Sequence, residues 1–245
     1  MAHNPIPIRI PAMNERKPDK TAVMRLLQFT DSAFPVGTFS FSNGLETAAY
    51  EGIVRDADTL EKYTEDIALQ AAYTDGVVAL HAFRAAGKAA YEDLLEADRQ
   101  LMLCKMNAEA RQMLQRMGKK LAELSVHIFE EPLIRQWLED ARADRTPGTY
   151  PVAQALAFSA AGLSEKDLFC SHQYGAINMV LSAALRCVKV SHYDTQRILF
   201  HLSEQTSALY EEVREMTFED MNAFVPQIDI LASLHEKGTM RMFMN

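Results

Sequence analysis

Apolar residues recur every three or four positions along most of this 245-residue chain, and that period admits one kind of fold. Leu60, Tyr63 and Ile67, followed by Leu69, Ala71 and Ala72, predict a long helix over 57–86. Asp58 or Thr59 would cap it, Gly76 would bend or divide it, and Gly87 would stop it. A short arm over 89–96 precedes a second long helix over 98–129, striped by Leu101, Met102, Met106, Met113, Leu114, Met117, Leu121 and Leu124. Gly118 inside that stripe costs roughly 1 kcal/mol relative to alanine unless a neighbour needs the close approach. Pro132 sits where a helix tolerates its missing donor, and Pro147-Gly148 marks a loop. Further helices are predicted over 151–161, 164–190 and 194–214, with Ser164 and Asp167 spaced as a capping box. No alternating run of β-branched residues extends beyond about four, so strands are not expected. The expectation is an all-α fold: one domain of about eight to ten helices in a bundle-like array over 20–234. A flexible arm over 1–19, carrying Pro5, Pro7, Pro11 and Pro18, precedes it, and a tail over 235–245 follows.

The least helical stretch is Asp31–Glu46, DSAFPVGTFSFSNGLE. Pro35 should end a first helix that begins near residue 20 and buries Met24, Leu26, Leu27 and Phe29. Gly37 can take positive φ and lets the chain turn sharply. Ser40 or Ser42 would cap a short helix with Glu46 in its first turn and Gly52 beyond its end. Phe34, Val36, Phe39 and Phe41 make the turn too apolar for a solvated loop, so it reads as a packed corner.

Several function classes are poorly supported. A net charge of −8 argues against nucleic-acid binding by bulk electrostatics. No apolar run approaches the roughly 20 residues that span a bilayer, and the proline-rich start lacks the apolar segment of a secretory signal. Cys104, Cys170 and Cys187 are odd in number and widely spaced, which suits reduced thiols in a cytosol. There is no phosphate-binding glycine loop, H-E-x-x-H or C-x-x-C. Cys170 and His172 point apart on a helix and read as a buried thiol beside a surface imidazole. His127 and His201 read as helix-surface residues and His192-Tyr193-Asp194 as a cap. Met102, Met106, Met113 and Met117 share one helical face, a pattern of adaptable core or interface more than of soft-metal ligation. Met240, Met242 and Met244 alternate with Arg241 and Phe243, an exposed apolar end that suggests a partner. Two classes stay open on these residues alone: a helical interaction or regulatory module, or a metal-dependent hydrolase drawing on Asp31, Glu46 and histidines.

Leu27-Gln28, Phe34-Pro35-Val36-Gly37, Phe39-Ser40, Ser42 and Gly44-Leu45-Glu46 together resemble the N-terminal motif of the urease accessory protein F family. The resemblance continues in order through Glu109-Ala110-Arg111 with Gly118, Tyr150-Pro151-Val152-Ala153 with Leu163, and Ser182-Ala183-Ala184-Leu185-Arg186 with Gln196. His235-Glu236 and Arg241-Met242-Phe243 close it. Two places depart from the family: Lys189-Val190-Ser191-His192 stands where a Pro-Leu-Gly-Gln turn is usual, and Asn245 replaces a final serine.

This resemblance implies a non-enzymatic, cytoplasmic, all-α homodimer that assists nickel insertion into urease. Its implied partners are accessory GTPase G, accessory protein D (also called H) and apo-urease, with no nucleic acid and no membrane. It implies no stably bound cofactor: nickel is cargo of the complex, and GTP with magnesium belongs to the GTPase. His235, Glu236, Arg241 and Phe243 would belong to a tail ordered against accessory protein D. Tyr174 and Arg186, with Lys189 at the altered turn, would lie near the GTPase-facing surface. Glu46 would couple GTPase activity to activation, and Pro35, Gly37, Ser40 and Gly44 would shape its turn.

Overall fold

The computed structural model of the chain describes residues 20–37, 41–222, 225–235 and 242–243. They form α1 (Lys20–Thr30), α2 (Leu45–Tyr50), α3 (Ala57–Ala71), α4 (Val77–Gly87), α5 (Tyr91–Cys104), α6 (Ala108–Ile128), α7 (Pro132–Arg142), α8 (Tyr150–Ala160), α9 (Glu165–Cys187), α10 (His192–Val213) and α11 (Pro226–His235). A π-helical turn, Ala72–Gly76, joins α3 to α4, and a 3₁₀ turn spans Phe218–Asp220. No strand occurs among the described residues, so the all-α expectation holds. The arm over 1–19 lies outside the described residues.

Local chemistry sets the helix ends. Asp56 caps α3 with Thr59 completing a capping box, two residues before Asp58 and three before Thr59. Ser164 and Asp167 form the expected box on α9, and Ser191 with Asp194 repeats it on α10. Pro132 opens α7.

Both long predicted helices are interrupted. At Gly76 a Cβ would meet the Phe169 ring at 2.8 Å, so the π turn passes close to α9 there. The 98–129 stretch breaks after Cys104, where Lys105 turns extended and Asn107 caps α6 by accepting the Ala110 N–H at 2.7 Å. That break dissolves the methionine face: Met106 is exposed in the link, while Met113 and Met117 are buried in α6. The first helix also differs from expectation. Phe29 is buried, its ring stacked on Phe129 and tilted against Phe34 and Phe158, but Met24 and Leu27 are exposed.

α8 is buried on every side from Pro151 to Phe158, between α4 and α6, as an all-round apolar helix must be. Its entry explains Gly118. A Cβ on that residue would stand 2.3 Å from the Gly148 carbonyl oxygen, so only glycine lets α6 pass the loop before α8. Asp98, fully buried on α5, holds the same loop by accepting from the Thr146 and Thr149 hydroxyls and the Gly148 and Thr149 N–H groups.

A second core lies toward the other end. Leu45 and Ala48 of α2 pack with Leu60 and Ile67 of α3, Val180 and Ala184 of α9, Ile198 of α10 and Leu231 of α11. Phe243 belongs to this cluster, so the last described residues close against the core that α2 enters.

Candidate functional site

The turn after α1 has the chemistry its sequence demands. Asp31 accepts the Ala33 N–H at 2.8 Å, Pro35 lies exposed, and Gly37 takes φ +86°. Val36 and Phe41 are buried and Phe34 is half-buried, as a packed corner requires. Phe39 and Ser40 lie outside the described residues. The cap of α2 is Gly44 rather than a serine. At φ +77° that position is left-handed, and a Cβ would crowd the Ala232 nitrogen at 3.0 Å and the Tyr63 hydroxyl at 3.1 Å. Ser42 is buried and contributes its carbonyl, which accepts the Leu45 N–H. Tyr63 donates to the Asn43 carbonyl at 2.6 Å and fixes the turn on α3.

This turn delivers Glu46 to a cluster built from three distant parts of the chain. His235, at the end of α11, places Nε2 2.9 Å from Glu46 Oε2 and Nδ1 2.9 Å from Glu109 Oε2 on α6. Glu46 Oε1 accepts the Met242 N–H at 2.8 Å, and Oε2 accepts the Phe243 N–H at 3.1 Å. Burial opposes ionisation of Glu46, but the Met242 N–H, the His235 ring and the Phe243 N–H outweigh it and hold the carboxyl below its usual value. The His235 ring is almost wholly enclosed, and both nitrogens are committed to carboxylates.

Phe243 is buried, and the Arg186 guanidinium lies over its ring at 4.0 Å. The next residue on α9, Cys187, has its thiol pushed up to about 11, first by burial and then by the nearby Glu46 charge. Glu46, His235, Phe243 and Arg186 therefore form one constellation. Tyr174 and Lys189 do not join it. Tyr174 lies twelve residues before Arg186 on α9, about 18 Å along the axis and about 120° around it, and is exposed. Lys189 is exposed beyond the end of α9. Glu236 and Arg241 lie outside the described residues, as do Met240 and Met244; Met242 is exposed.

His172 corrects the sequence reading: it is buried, not on the surface. Its Nδ1 meets Gln154 Oε1 at 2.9 Å, and burial, more than any charge nearby, holds its proton affinity down. It borders a cavity of about 110 Å³ between α3, α6, α9 and α11. On the same wall the buried Asp75 carboxylate of the π turn pairs with Lys105. Burial opposes its charge, yet the ammonium and smaller contributions keep Asp75 below its usual value. This polar wall left no trace in the helical period, because it depends on the two breaks that bring Asp75 and Lys105 together.

Among the described residues no group of three or more His, Cys, Asp or Glu is arranged to hold a metal ion. Asp31 is exposed and engaged by its own turn. His127 is exposed on α6, and exposed His201 pairs with Glu61 at 3.0 Å. The three cysteines are unbridged, and no described helix is long and apolar enough to cross a membrane.

The family described as UreF matches residues 54–203, the helical body beyond the opening turn. The chain is 45% identical over 223 residues to "Urease accessory protein UreF 2" of Brucella abortus strain 2308, covering 91% of this chain and 92% of that protein. It is 41% identical over 223 residues to "Urease accessory protein UreF" of Yersinia enterocolitica strain 8081, covering 91% and 98% respectively.

Proposed function

The chain belongs to the UreF family, and from that premise we propose that it is a homodimeric adaptor joining the urease accessory GTPase and accessory protein D/H to apo-urease. Family membership supports the coarser statements directly: the protein serves urease maturation, acts with urease and other accessory proteins, and is an accessory factor rather than a catalyst. The finer roles are ours. The adaptor modulates GTP-dependent nickel delivery in the cytoplasm. Nickel passes as cargo, while GTP and magnesium stay with the GTPase.

One observation carries this reading: a likeness that runs through nine-tenths of the chain to proteins of that name. The site fits it. Glu46, His235, Phe243 and Arg186 join the opening turn, α9 and the chain's end, so a partner that grips the tail would also act on Glu46. Arg186 is exposed around the ring it covers, and Tyr174 and Lys189 stand free of the cluster for the GTPase-facing surface.

Co-purification tests the assembly. The full chain should elute with the GTPase and with accessory protein D/H, and Arg186→Ala should weaken the GTPase contact. Undiminished GTPase binding by that variant removes Arg186 from the interface. Deleting residues 236–245 should abolish co-elution with accessory protein D/H; survival of that complex would contradict the tail's role.

A further inference from the structure

We infer that the cavity between α3, α6, α9 and α11 is a binding site for a small neutral molecule with an apolar body and a hydroxyl head, which His172 and Tyr150 receive. The inference goes beyond the adaptor reading and stands without it.

Two polar groups of the wall are left without partners. Gln154 Nε2 donates to Ser171 Oγ at 3.2 Å, which turns the amide oxygen toward His172 Nδ1 at 2.9 Å. Nδ1 therefore carries the proton of the neutral ring, and Nε2 keeps a lone pair. No hydrogen bond reaches Nε2 from the described residues, although the histidine is only 7% exposed. Tyr150 opens α8 and sets its ring 6.3 Å from the imidazole. Its hydroxyl likewise has no hydrogen-bond partner among the described residues. Burial pushes the phenol up to about 12, so it remains a donor.

Interior polar groups are ordinarily hydrogen-bonded, so an acceptor and a donor standing open on one wall ask for a ligand that supplies both. A hydroxyl does so with one atom: its O–H donates to His172 Nε2, and its oxygen accepts from the Tyr150 O–H. The head should carry no charge. Asp75 and Lys105 on the wall already pair with each other, and Asp229 accepts from Asn107 and Gln70. The burial that holds down the proton affinity of His172 disfavours an added ion in the same way.

The rest of the lining suits an apolar body. Ile67, Met113, Leu114, Met117 and Met179 face the space, and thioether side chains adapt to varied shapes. Small residues keep it open on α9: Ala176 lines it, and a Cβ added at Gly175 would meet nothing within 4 Å. An apolar cavity of about 150 Å³ admits benzene, so about 110 Å³ suits a branched body of about four carbons.

Methyl-labelled methionines of the full chain read the site by NMR, because Met113, Met117 and Met179 line it while Met24 and Met106 are exposed. Titration with 2-methylpropan-1-ol should shift the lining methyls saturably, with a dissociation constant on the order of a millimolar, and leave the exposed ones unmoved. 2-Methylpropylammonium and 2-methylpropanoate carry a similar body with a charged head, and should bind about tenfold more weakly or worse. Tyr150→Phe should weaken the alcohol about fivefold. Ala176→Leu fills the space and should abolish binding. Absence of saturable shifts in the unmodified chain overturns the inference, as does binding of either ion as tightly as the alcohol. Should Ala176→Leu fail to fold, Tyr150→Phe decides: an unchanged dissociation constant overturns the inference.

Discussion

Glu46 and His235, 189 positions apart in the chain, face each other at 2.9 Å. The contact ties the corner that opens the fold to its last helix, and through Glu46 to the two residues beyond. Glu46→Ala leaves an enclosed imidazole and two N–H groups without their acceptor, and should lower stability by about 2–4 kcal/mol in urea unfolding. The pH dependence has a definite sign. Because the folded carboxyl lies below its ordinary value of 4.5, its contribution is present above about that pH. It is lost as pH falls through the folded value, so wild type and variant should converge in acid.

Arg186 covers Phe243 from the solvent side. Truncating it to alanine removes a cation–π contact at an exposed position, worth about 0.5–1 kcal/mol. Thermal unfolding should therefore barely change, whereas binding of the accessory GTPase should drop. Equal losses in both would make Arg186 a structural residue.

Gly118 and Gly175 are both interior to helices and should respond oppositely. Gly118→Ala forces a Cβ against the Gly148 carbonyl and the Thr149 backbone, and should destabilise by about 3 kcal/mol or more. A Cβ at Gly175 meets nothing within 4 Å, so Gly175→Ala should stabilise by about 0.5–1 kcal/mol. Paired urea melts of the two variants check the prediction.

Asp98 satisfies four donors of the loop that starts α8. Asp98→Ala strands them in the interior and should cost about 3–5 kcal/mol, with α8 losing exchange protection before the second core does.

The helical period and its glycine and proline punctuation were enough to read the all-α fold, the corner at Pro35 and Gly37, and the box at Ser164. Gly118 was legible as an anomaly and explained only by the loop it passes. Other features were closed to a reading along the chain. The break at Lys105–Asn107 arises because Lys105 turns inward to Asp75, a contact between residues on separate segments. His172 looked like a surface residue because α9 shows no single apolar face; its burial follows from packing on several sides. A serine is the expected cap of α2 because a side-chain cap is the commoner chemistry, yet the close approach of α11 demands Gly44. Glu46, His235 and Phe243 were each singled out by resemblance, but the bridge among them, and the place of Glu109 in it, appears only in three dimensions.

The most direct test of the account is urease activation measured with apo-urease, nickel, bicarbonate, GTP, the accessory GTPase and accessory protein D/H, with and without this chain. The account predicts that activation depends on the chain, and that Glu46→Ala or deletion of residues 236–245 lowers it although the helical body stays folded. Full activation without the chain would contradict it.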